Sequence, residues 1–158
     1  MNAESFGVVK RMALLAFVAL LALPACGGEV DPARTPAGAA QVRLLEDLYN
    51  GRFGQAYAEL HPSHQTIVSR SLFVRCAREE IAVGALDSIE ILEVFDDETR
   101  GLLRGGEPTK GVRIRLTFDD GQSTEPFVNH EVKVDDRWRW LLNQKAIDAY
   151  EAGRCAST

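Results

Sequence analysis

The hydrophobic pattern changes period near Gly84, and that change constrains the fold more than any other feature of the chain. Upstream, Val42, Leu45, Leu48 and Tyr49 recur at helical spacing, and Phe53, Ala56, Tyr57 and Leu60 do so again beyond Gly51. Gly51 suits the position just past a helix end. Pro62 suits the first turn of another short helix. Ser69 or Ser71 can cap a further helix whose apolar face is Leu72, Phe73, Cys76 and Ala77. Downstream the period is two. Val112, Ile114, Leu116 and Phe118 alternate with Arg113, Arg115 and Thr117, and Asp120-Gly121 signals a tight turn. The returning strand is expected to carry Val128, His130, Val132 and Val134 on one face and Phe127, Asn129, Glu131 and Lys133 on the other. A second turn at Asp135-Asp136 leads to Trp138, Trp140 and Leu142, and a last short helix spans Lys145 to Ala152. In "DSIEILEVFDDE" the apolar positions slip from Ile89 and Ile91 to Leu92 and Val94, which implies a bulge or two buried faces. Helices followed by closely connected strands define an α+β fold with an antiparallel sheet. The N-terminal helices are the available cover for one sheet face.

The N-terminal region obeys different rules. Met12 to Leu23 is an unbroken apolar run, too short for the roughly 20 residues that cross a bilayer. Lys10 and Arg11 before it and Pro24-Ala25 after it match a secretory signal: basic start, apolar centre, small residue at the cut. Cys26 follows directly. "LPAC", Leu23 to Cys26, resembles the lipobox of bacterial lipoproteins, which implies lipidation of Cys26 as the mature N-terminus. Residues 1–25 are thus expected to be a lipoprotein signal peptide and residues 26–40, rich in Gly, Pro and Ala, a flexible tether. Residues 41–158 then form a single domain, exported and held on a bacterial membrane by acyl chains contributing about 0.8 kcal/mol per buried methylene.

Three cysteines in an exported chain leave one to explain. Assigning Cys26 to lipid leaves Cys76 and Cys155 as a disulfide pair, with a buried free thiol at Cys76 the alternative. The full chain is net −5 and has no basic stripe, which argues against nucleic-acid binding.

The order of elements, "LLEDLYNGRFGQAYAELHP", then "LFVRC", then a sheet ending in "DDRWRWLL", resembles the NTF2-like superfamily over about residues 40–145. The resemblance implies a cone: a curved antiparallel sheet wrapped around N-terminal helices, with a pocket between them that serves isomerase or dehydratase chemistry, ligand binding, or packing alone. On the strand register above, Val128, His130 and Val132 line that pocket with Tyr49, Tyr57 and Phe73.

His130 is the one titratable side chain on that apolar face and hence the candidate base, although a histidine between valines is more often structural. His61 and His64 of "HPSH" lack a third ligand at a recognisable spacing, so no metal is expected. Paired acids at 79–80, 96–97, 119–120 and 135–136 fall at element ends and turns, where Asp has local reasons to occur. The sequence therefore points to a tethered domain that binds an envelope protein or a small apolar ligand, without cofactor or catalysis. The alternative is an isomerase or dehydratase of the ketosteroid-isomerase-like type using His130.

Overall fold

The computed structural model describes residues 30–98 and 108–156. The expected signal peptide (residues 1–25), the lipobox-like stretch and Cys26 lie outside the described residues. The chain is α+β. After a 3₁₀ turn at Pro32–Arg34 come α1 (Pro36–Tyr49), α2 (Phe53–Ala58), α3 (Pro62–Gln65) and α4 (Arg70–Glu80). Strands β1 (Leu86–Asp97), β2 (Thr109–Phe118), β3 (Phe127–Val134) and β4 (Arg137–Trp140) follow, and α5 (Gln144–Glu151) closes the order. The sheet is an antiparallel meander in sequence order. Helix α1 lies across it and touches all four strands.

Regular structure is present before residue 41. Thr35 caps α1 by accepting from the Gly38 amide, Pro36 occupies the first turn, and Ala37 and Ala40 are buried. A tether-like composition is compatible with a helix start because proline at the first position sacrifices no intrahelical hydrogen bond. Gly38 is required there for space, since a β-carbon would collide with the Pro32 carbonyl.

Two clusters of apolar side chains hold the fold. In one, Leu45 and Ala37 of α1 pack on Ile91, Val112, Ile114 and Leu116 of the sheet. In the other, Leu44 meets the α2–α4 layer and α5 through Phe53, Leu60, Phe73, Leu142 and Ile147. Ser69 caps α4 through the Leu72 amide, as the sequence expects of Ser69 or Ser71. The slip in β1 is a register shift between Ile91 and Glu93, which keeps Ile89, Ile91 and Val94 all opposite β2's apolar positions.

Turn geometry sets the faces of β3. Asp135 and Asp136 both take positive φ, 48° and 61°, the conformation of a two-residue hairpin turn. That turn pairs Lys133 with Trp138 and Glu131 with Trp140. On the other edge Ile114 pairs with Phe127 and Val112 with Asn129. Phe127, Asn129 and Glu131 therefore face the helices. Val128, His130, Val132 and Val134 face away, which reverses the expected assignment. Leu141 covers Val132 and Val134 on that outer face, while Val128 is 38% exposed.

Candidate functional site

The structure divides the expected pocket residues among three places. Tyr57 and Phe73 meet in the helical layer, ring centroids 5.7 Å apart, and Phe73 also meets Trp140 at 5.8 Å. Tyr49 packs instead on Phe118 near the sheet's far end, at 5.9 Å. His130 lies on the outer face beside Val128 and Val132, its Nε2 2.9 Å from Asp97 Oδ2. It does not line a pocket with the tyrosines, because the hairpin turn fixes its strand one residue out of the expected phase.

Polar groups of the aromatic side chains in the helical layer are engaged in the fold. The Tyr57 hydroxyl donates to the Val68 carbonyl at 3.0 Å, and Trp140 Nε1 donates to the Ala56 carbonyl at 2.9 Å. His61 and His64 are buried rather than displayed on the surface. His61 caps α3 by accepting from the Ser63 amide, and His64 Nδ1 accepts from the Leu142 amide at 2.9 Å. Among the described residues no cluster of three His, Cys, Asp or Glu could hold a metal ion.

Cys76 and Cys155 stand as a disulfide, Cα atoms 5.3 Å apart. The bond ties the chain after α5 to α4, and the neighbouring Ala156 lines an apolar pocket of about 310 Å³. Leu48, Phe73, Ala77, Trp140, Leu142 and Tyr150 form its wall, with Glu80 and Lys145 at the rim. Burial, and then the Glu80 charge, push the Tyr150 hydroxyl up to about 12, so it stays a neutral donor. Burial also raises the Glu80 carboxyl, with Glu79 adding to the rise and Lys145 opposing it. The volume is at the lower end of the range for ligand pockets, about 300–1,000 Å³, and the mostly apolar wall with few polar groups is characteristic of them.

A different chemistry occupies the junction of α1, α2 and β4. There an open groove of about 820 Å³ is lined by Arg43, Asp47, Glu59, Trp138 and Arg139 among others. Within electrostatic reach of Glu59 and Arg43 lies Glu131, 1% exposed on the helix-facing side of β3. Burial foremost, and next the Glu59 charge, raise its carboxyl to about 8 against the opposing pull of Arg43. Glu131 Oε2, both amide atoms of Gln41 and Nε of Arg139 are buried without hydrogen-bond partners among the described residues. Such orphaned groups are uncommon in a folded interior and mark a strained or functional locality.

A glutamate beside valines looks like the solvent side of a strand, so alternation alone does not single out Glu131. The signal that locates it was present. A two-residue turn at Asp135-Asp136 puts Glu131 on the tryptophans' face.

The fold and its pocket define an α+β domain with a small, open apolar pocket between a disulfide-pinned C-terminal segment and the helical layer. No protein-family model matches the chain, and no curated protein matches it.

Proposed function

We propose that this is a lipid-anchored, extracytoplasmic protein whose NTF2-like domain binds a small apolar ligand or a protein partner without catalysis. The cavity against α4 and α5 is the observation that carries the reading and favours the ligand. It combines an apolar wall with a neutral tyrosine donor and a charged rim, an arrangement suited to a ligand with an apolar body and one polar end. One-sided cover of an antiparallel meander by helices supports the NTF2-like assignment. The basic–apolar–LPAC order of residues 10–26 supports export and anchoring through Cys26. The isomerase or dehydratase alternative loses its base, since His130 is bonded to Asp97 on the opposite sheet face.

Trp140 lines the cavity and Trp138 does not, which supplies an internal reporter. In a Trp138→Phe background, titrating the full-length chain with an environment-sensitive naphthalene fluorophore should shift Trp140 emission with saturation. Ala77→Phe or Ala146→Phe, each filling the chamber, should abolish that response. A response that persists in both filled variants, or that is absent from the parent, overturns the ligand reading. Anchoring is tested separately: the protein recovered from bacterial membranes should carry acyl mass at Cys26, and Cys26→Ser should release it. A soluble product without that mass rules the anchor out.

A further inference from the structure

Next to the α1–α2–β4 groove, with which it shares Gln55 and Ala58, α2 and α4 flank a second open groove of about 730 Å³. Arg70, Val74 and Arg78 recur every four residues along α4 and all line it, so they form one helical face. Arg52 also lines the groove, with Ala58 and Val74 as apolar surface and the buried Phe53 beneath. Arg52 is held by Asp47 at 2.6 Å. Arg70 and Arg78 have no ion-pair partner among the described residues. The Arg70 guanidinium rests against α2 at Gly54, where a β-carbon would collide with it. In a chain of net charge −5, two unpaired guanidiniums on one groove are a local reversal of sign.

We infer that this groove docks an extended acidic peptide segment of a partner protein, with carboxylates on Arg70 and Arg78 and an apolar side chain between them on Val74. The geometry separates this from binding of a small anion. Eight helical residues put the two arginines about 12 Å apart along the axis. One phosphate-sized ion would meet one of them. Carboxylates four residues apart on an extended chain span about 13 Å and meet both. Guanidinium also suits carboxylate better than ammonium does, because its planar fork donates two parallel hydrogen bonds. The apolar strip adds affinity and fixes the peptide's register.

The test uses the full-length chain and a labelled pentapeptide with glutamates at its first and last positions and leucine at its centre, read by fluorescence anisotropy. Binding should be saturable and weaken with added salt, because the paired groups are exposed. Arg70→Gln and Arg78→Gln should each weaken it about threefold, and the double variant about tenfold, the range expected of exposed charge pairs. Gly54→Ala should match Arg70→Gln, since it displaces that guanidinium while leaving its charge. Arg75→Gln removes an exposed charge of α4 outside the groove and should leave binding within about 1.5-fold. Equal losses at Arg75 and Arg78 overturn the inference, as does a lysine-ended peptide that binds as well. Displacement by inorganic phosphate beyond that by chloride at equal ionic strength also overturns it, in favour of a simple anion site. All these variants leave the α4–α5 cavity lining intact, so failure here is distinguishable from failure of the ligand reading.

Discussion

His130 and Glu131 are adjacent in β3, and the pleat sends one to Asp97 on the outer face and the other among the helices. Burial penalises the ionised form of Glu131, so the native state keeps a proton that the unfolded chain releases near the ordinary glutamate value of 4.5. A folded value raised to about 8 means that the native state binds more protons throughout that window, so stability falls as pH rises from about 4.5 to about 8. The slope for one such group is about 1.4 kcal/mol per pH unit. Glu59, raised chiefly by burial, contributes in the same direction. Denaturant titrations at pH 5, 6, 7 and 8 should show the decline in the parent and a much flatter profile in Glu131→Gln. An unchanged slope in that variant would show that Glu131 is not the group responsible. His130→Ala should cost under about 1 kcal/mol, the worth of a part-exposed pair, and leave the cavity fluorescence response unaltered.

At the scale of elements, the β3–β4 turn has the largest consequences. Both turn residues take φ values that suit asparagine and glycine better than aspartate. Replacing Asp135-Asp136 by Asn-Gly should raise stability by about 1 kcal/mol, seen as a higher denaturant midpoint at constant slope. The change sacrifices the Lys133–Asp136 pair at 2.9 Å, but the Asp136 side chain is 93% exposed and that pair contributes little. In the neighbouring strands Phe95 lies over Gly111, its cross-strand partner, where a β-carbon would strike the ring. Gly111→Ala should therefore destabilise by about 1–3 kcal/mol, measurable in the same titrations.

For the whole molecule, the disulfide ties α4 to the chain beyond α5 across 79 residues. Loop-closure entropy for such a span corresponds to about 4.5 kcal/mol. Reduction, or a Cys76→Ser and Cys155→Ser double variant, should lower the melting temperature and weaken probe binding, because Cys155 packs against the helical core and Ala156 borders the cavity. A lower melting temperature with undiminished probe binding would mean that α5 keeps the pocket's shape without the bond.

Local rules are enough for the α+β class, the helix starts at Pro62 and Ser69, and the antiparallel meander with its slip at Leu92. Period, capping chemistry and short connections act within a few residues, so one chain displays them directly. Thr35 and Pro36 have the composition of a tether, yet α1 begins there. The cysteine pairing followed from compartment and number rather than geometry. What only the tertiary structure decided was which face of β3 turns inward and what that face meets. Alternation alone assigns two faces without orienting them, and four valine-side positions look more core-like than a row containing Asn129, Glu131 and Lys133. Orientation comes from pairing with β2 and β4, whose apolar positions must join one surface under α1. Pairing to those strands carried Glu131 into the interior with its carboxyl and left His130 outside. The pocket and the arginine groove are equally hidden, because each is built from elements far apart in sequence whose side chains meet only after the chain has folded back on itself.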